Sequence, residues 1–244
     1  MLSATTAAIA AIIFVAAFIQ GTAGFGFVFF SLPILALLVD FRVAVVALVL
    51  LAQVLNLLIL WQHGFRADWK SVVPLTVATL PGIPVGVWLL TALPVAWLQG
   101  SLGALLVLYA LYQWLARPVP RRVGRLWMAA AGFAAGCLGG ALSSQGPPIL
   151  VYVSLQPWDK DRVKATLVGF FCTTGLFVIL AQAWQGLITP EPLRLALVCT
   201  PFMVAGVLAG RRLYLRLGDD GYRSLLTVLV FILGLAMLAR SLGG

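Results

Sequence analysis

Apolar runs of roughly twenty residues follow one another along nearly the whole chain, each long enough to cross about 30 Å of hydrocarbon. They lie at 3–19, 43–61, 72–90, 97–115, 126–142, 165–187, 193–209 and 225–239, with shorter runs at 27–39 and 148–155. No stretch between them is long enough for a soluble domain. Only 9% of the residues are charged, against about 25% in soluble domains. The sequence therefore predicts one all-α membrane domain over 1–244, without a catalytic head. Residues 1–19 carry no basic n-region and no A-x-A-like site, which argues against a cleaved signal peptide.

Two of these runs are interrupted in similar ways. GCLGGALSSQGPPIL at 136–150 brings together Gly136, Gly139, Gly140, Gly146, three polar side chains and the pair Pro147-Pro148. QGTAGFGFVFFSLPIL at 20–35 is its counterpart in the first half. Paired interruptions in matching halves of a membrane protein point to a transport site. The halves also align as copies. A shift of 120 places Arg42-Val43 on Arg162-Val163, Gln62 on Gln182, Pro81 on Pro201, and Gly86-Val87 on Gly206-Val207. A shift of 115 places Gly21 on Gly136, Gly24 on Gly139, and Pro33-Ile34-Leu35 on Pro148-Ile149-Leu150. An ancient duplication accounts for this ordered agreement.

Charge then orders the topology. If each interrupted unit enters and leaves on one side, the loops at 63–70, 117–125, 159–164 and 211–223 share a face. That face collects thirteen of the sixteen Lys and Arg residues, leaving Arg42, Arg194 and Arg240 opposite. Such a bias marks a cytoplasmic face, and it explains the net charge of +9 without nucleic acid. The limb 27–39 would measure only about 20 Å as helix. The prediction is two inverted repeats, about 3–116 and 126–240, joined by the basic cytoplasmic loop 117–125. Each holds one broken, re-entrant helical unit and three transmembrane helices, about eight hydrophobic elements in all. The PGIPVG stretch at 81–86 and the Pro201/Gly206 pair are expected to kink their spans.

Backbone that leaves helical geometry inside a bilayer must be buried in protein or line a wet cavity. Glycine permits the turn, and Pro147-Pro148 suits the first turn of a new helix. Each second limb would present a helix N-terminus near mid-membrane, which favours an anion. The candidate binding residues are Gly21, Thr22, Gly24, Gly26, Ser143, Ser144, Gln145, Gly146 and Pro147. Gln53 and Asn56, one turn apart, and Thr173 and Thr174 in the matching stretch could line the same cavity. These hydroxyls and amides are neutral, so the expected site holds an anion by dipoles and not by a buried arginine.

Several classes are disfavoured. All seven carboxylates lie in loops or at span ends, so the intramembrane proton relay of a pump has no visible member. HExxH, GxSxG and Walker motifs are absent from the sequence, which argues against protease, lipase and ATPase. The sequence thus predicts no enzyme, no cofactor and no metal site. His63 reads as a solvated loop residue. Cys137, Cys172 and Cys199 sit in apolar runs without CxxC spacing, so they read as structural and unpaired.

The first glycine cassette ending in Pro33, the GGALSSQGPPILVY stretch at 139–152 and the duplicated layout resemble the sulfite exporter TauE/SafE family of bacterial membrane transporters. The resemblance covers essentially the whole chain. It implies movement of sulfite, sulfoacetate, other sulfonates or related organic anions, often outward. The first cassette departs from it in carrying Phe25 and Phe27 around Gly26. The expectation is a multi-pass inner-membrane secondary transporter or facilitator of small anions, working by alternating access around the two broken helices. Its partners are a small anionic substrate and the lipid bilayer, and a homo-oligomer is left open. The alternatives are a channel-like or ion-coupled importer of another metabolite, or a structural membrane subunit without its own substrate.

Overall fold

The computed structural model describes residues 4–23, 25–62, 64, 67–115, 123–214, 231–239 and 241. Gly24, His63, Arg66, the stretch 116–122, Arg216, Arg223 and Arg240 lie outside the described residues. The described residues form helices joined by turns and contain no strand. In chain order the helices are α1 (Ala4–Ala23), α2 (Phe27–Leu35), α3 (Phe41–Gln62), α4 (Trp69–Thr79), α5 (Gly82–Ala92) and α6 (Val95–Leu115). They continue as α7 (Arg125–Leu142), α8 (Gly146–Ser154), α9 (Lys160–Trp184) and α10 (Pro190–Tyr214), then α11 (231–239). Six of them are long and apolar enough to cross a membrane. The pair α4 and α5, bent by 46° at its break, makes a seventh where it is counted as one span.

That bend falls at Leu80-Pro81, as PGIPVG leads one to expect. Pro201 behaves differently, since α10 runs through it without a break. The interrupted units are also less symmetric than the sequence suggests. Their second limbs, α2 and α8, have nine residues each, about 13 Å of helix. Their first limbs, α1 and α7, have 20 and 18 residues and reach crossing length. Each unit is thus a full-length helix followed by a half-length one.

Glycines set how the helices meet. A Cβ at Gly86 would strike the Cys137 carbonyl, and one at Gly140 would come within 2.5 Å of the Ile83 oxygen. Gly136 would likewise meet the Thr79 carbonyl, so α7 lies backbone to backbone on α4 and α5. Gly206 and Gly210 of α10 sit in the same way on the carbonyls of Phe14 and Phe18 in α1. Numbering rises together along both members of each pair, so both pairs run parallel. In α6 and α11, Gly100 faces Ser241 and Gly103 faces Gly234 and Leu238, which is an antiparallel register. Such close approach is how membrane helices gain packing energy when lipid offers no hydrophobic drive.

Polar contacts fix which helix ends share a face. Arg162 at the start of α9 pairs with Asp68 at the start of α4, Nε to Oδ2 at 2.7 Å. Arg211 near the end of α10 donates to Oε1 of Gln62 at the end of α3, 3.1 Å. The hydroxyls of Tyr112 in α6 and Ser154 in α8 lie 2.9 Å apart. Chain connections join these contacts into one face, which also carries Lys70. On the opposite face Arg42, at the start of α3, donates to the carbonyls of Leu90, Thr91 and Leu93 at 3.0, 3.2 and 3.1 Å. It thereby serves the orphan acceptors at the C-terminus of α5. α3 and α9 therefore run in opposite directions. α3 is the most enclosed span, with 61% of its window buried, and its Leu48, Leu51 and Leu55 anchor the main core.

Candidate functional site

The two interruptions reach α3 at different depths. α7 ends at Ser143, which takes a left-handed conformation with φ 52°. For a residue with a Cβ that costs about 1–2 kcal/mol. Three bonds hold it there: its amide to the Gly139 carbonyl at 2.9 Å, the next amide, Ser144, to Leu138 at 3.2 Å, and its hydroxyl to the Val45 carbonyl at 2.8 Å. On the other side Gln20, near the end of α1, donates from Nε2 to Oδ1 of Asn56 at 2.9 Å. Its Oε1 accepts from the amide of Phe27, the first residue of α2, at 3.0 Å. Gly26, at φ 109°, makes the turn just before it. Val45 and Asn56 are about 16 Å apart along α3, and the interval between them holds a cavity.

This cavity has a volume of about 60 Å³. At about 10–15 Å³ per water centre, it admits roughly four waters or one small oxyanion. The first unit contributes Gln20 and Phe25 to Phe29, and the second Ser143 to Gly146. α3 contributes Val49, Ala52, Gln53 and Asn56, and α9 contributes Phe171 and Gly175. Both halves of the chain therefore form its wall, and no ionisable side chain is among the lining residues. Among the described residues no cluster of His, Cys, Asp or Glu could hold a metal ion.

Backbone partners decide which end of each amide faces inward. The Phe27 amide fixes Gln20, Gln20 fixes Asn56, and the Asn56 nitrogen is left as a donor at the wall. Gln53 donates Nε2 to the Cys172 carbonyl at 3.0 Å, which leaves Oε1 as an acceptor. That oxygen is buried beside Gly175 and has no partner among the described residues. The Ser144 hydroxyl is likewise unpartnered on a side chain only 2% exposed. The Thr174 hydroxyl sits between the Phe170 carbonyl at 2.6 Å and Oε1 of Gln145, steadying Gln145 against α9. The first turn of α8 adds its dipole. Because Pro147 and Pro148 have no N–H, little of that turn can donate directly.

The expected site residues thus fall into three groups. Gly26, Gln53, Asn56, Ser143, Ser144, Gln145 and Gly146 line the cavity. Thr174 stands behind it and positions Gln145. Gly21, Thr22, Pro147 and Thr173 lie off its wall. Gly21 packs 2.6 Å, by its missing Cβ, from the Val207 carbonyl. Thr22 bonds the Ile19 carbonyl at 2.8 Å, and Thr173 meets Thr76 at 2.9 Å. Gly24 is outside the described residues. Gln20 is a lining residue that the sequence reading left out. Its position as the one strongly polar side chain closing the first apolar run was the available signal.

A multi-span helical membrane protein with an uncharged cavity, part amide and hydroxyl and part aromatic, between two interrupted helices is the class that fold and site define. The chain belongs to the sulfite exporter TauE/SafE family, whose model matches residues 9–237. That family comprises membrane transporters of the sulfite-exporter type, and not enzymes. No curated protein and no solved structure matches the chain.

Proposed function

We propose that this protein is a secondary transporter or facilitator of the bacterial inner membrane. It moves sulfite, sulfonates or related small anions by alternating access around the two broken units. The observation that carries this reading is the cavity itself. It is small, walled by both interruptions, and lined among the described residues by neutral amides and hydroxyls set beside apolar and aromatic side chains, with no ionisable group. The donors of Asn56 and Ser144 and the N-terminal end of α8 favour an oxyanion, and a wall without a lysine or arginine among the described residues keeps the hold weak enough for release. Two inverted repeats, 3–116 and 126–240, fit the opposed directions of α3 and α9 and the exchanged pairing of α1 with α10 and α7 with α5. Rocking one repeat against the other then opens the cavity to either side. The face carrying Lys70, Arg162 and Arg211 is assigned to the cytoplasm by its excess of basic residues.

Flux of sulfite and of small sulfonates into proteoliposomes tests the assignment. The double variant Ser144→Ala, Gln145→Ala is expected to lower the rate about tenfold or more, since it removes the donors that replace the anion's water. Unchanged flux in a double variant with a normal unfolding temperature would remove the cavity from the transport path.

A further inference from the structure

Gln182 is the least explained polar side chain among the described residues. It lies on α9, has no exposed surface, and neither its Nε2 nor its Oε1 has a partner among the described residues. Its place on the helix is informative. Phe171, Gly175, Val178 and Gln182 follow one another at intervals of four, three and four residues, which puts them on one stripe of a helix. The first two line the cavity. Val178 is fully buried and clusters with Val49 of α3 and with Ile83 and Val87 of α5. Val49 is itself a lining residue, so this cluster is the floor of the cavity. Gln182 lies about 6 Å beyond Val178 along the axis, toward the face opposite the basic loops. Leu187, which packs on the same cluster, donates its amide to the Gln182 carbonyl at 3.0 Å and folds the chain back beside it.

We propose that Gln182 is a second station for the anion, on a path that leaves the cavity through the Val49–Ile83–Val87–Val178 constriction toward the face away from the basic loops. The constriction is closed in this state and acts as a hydrophobic gate, which excludes an ion by refusing its water. When it opens, Nε2 of Gln182 donates to the anion and Oε1 accepts from the water that accompanies it. This explains why a membrane span keeps an amide with both ends unserved, a costly arrangement in a fixed interior. The proposal rests on the transport reading above and adds the exit route to it.

Gln182→Leu separates this role from a structural one. Removing an unpartnered buried amide in favour of an apolar side chain of similar size raises the unfolding temperature. A hydrogen-bonded structural glutamine would lower it. The expected result is a higher unfolding temperature, sulfite flux reduced about tenfold, and an unchanged sulfite affinity measured at equilibrium. Flux equal to wild type in Gln182→Leu overturns the second station. If that variant fails to fold, Val178→Ala is the alternative, because it widens the constriction and is expected to raise sulfite flux about threefold. A rate unchanged in Val178→Ala equally overturns the route. If the wild-type protein neither binds nor moves sulfite or methanesulfonate, the transport reading fails first, and that outcome is distinguishable because it needs no variant.

Discussion

The two interrupted units share a plan and differ in chemistry. Each is a full-length helix, a turn with a left-handed residue among its described positions, and a nine-residue helix. In the first unit the turn is made by Gly26, the short helix is capped by the Gln20 side chain, and the wall it gives to the cavity is mostly aromatic. In the second unit Ser143 makes the turn, the short helix begins with a glycine and two prolines, and the wall is hydroxyl and amide. A single backbone device has thus been given two tasks. One unit gives the cavity a mostly aromatic wall, while the other gives it hydroxyls and amides.

The comparison is most severely tested where the units are alike. Gly21 and Gly136 occupy equivalent positions under the shift that aligns the units, and each faces a partner backbone. A Cβ would stand 2.6 Å from the Val207 oxygen in one case and 2.9 Å from the Gly82 Cα in the other. Gly21→Val and Gly136→Val are each expected to cost about 3 kcal/mol or more, read as loss of folded protein in detergent thermal unfolding. A normal unfolding curve for one of the two would break the equivalence.

A smaller effect sharpens the difference between the caps. Gln20→Leu leaves the Phe27 amide and the Asn56 oxygen without partners and should cost about 1–3 kcal/mol. Among the described residues no corresponding side chain caps α8, whose prolines need none. Denaturation of Gln20→Leu in detergent, followed by loss of helical circular dichroism, measures this. A cost within error would mean that α2 does not depend on its cap.

The smallest effect concerns the exits from the two units. Arg42 and Arg162 occupy matching positions after them, each preceded by a capping aspartate. Asp40 accepts from the amides of Arg42 and Val43, and Asp159 accepts from that of Arg162. Their guanidinium partners differ, being carbonyls for Arg42 and the Asp68 carboxylate for Arg162. Burial pushes the Asp68 carboxyl upward, but hydrogen bonds from Ser71 and Arg162 and the guanidinium charge outweigh it. The result lies below the usual carboxylate range. A depressed carboxylate contributes stability above its unfolded value and loses it as the pH falls through its folded one. The Arg162 link should therefore weaken only in acid below the ordinary aspartate range, while the Arg42 link persists. Screening at this exposed site holds the effect to less than about 1 kcal/mol. Unfolding temperatures of wild type and Asp68→Asn against pH should converge there.

The broken units were legible because glycines, prolines and polar residues arrive together in otherwise apolar runs, and nothing else in a span needs that combination. The face shared by Lys70, Arg162 and Arg211 was legible for the same reason, since charge has few other places to go. What could not be read was which polar side chains satisfy themselves locally. Thr22 and Thr173 return their hydroxyls to carbonyls one turn back, a habit of threonine in helices, and so leave the cavity. Phe171, Val49 and Ala52 look in sequence like any lipid-facing residue. Pro81 and Pro201 look alike too, yet only the first breaks its helix. It is followed at once by Gly82, which meets the backbone of α7, whereas Pro201, likewise exposed, is followed by Phe202 and has its nearest glycine, Gly206, further along α10.

Pro147 and Pro148 carry a consequence for how such a protein can change over time. A helix start stripped of amide hydrogens still attracts negative charge, but it has little vote on the identity of the visitor. Under the transport reading proposed above, that vote would pass to the side chains of Ser144, Gln145, Asn56 and Gln53. On that reading attraction would be written into the backbone and preference into four side chains, so a lineage could exchange one cargo for another by point mutation while the helical scaffold stays as it is.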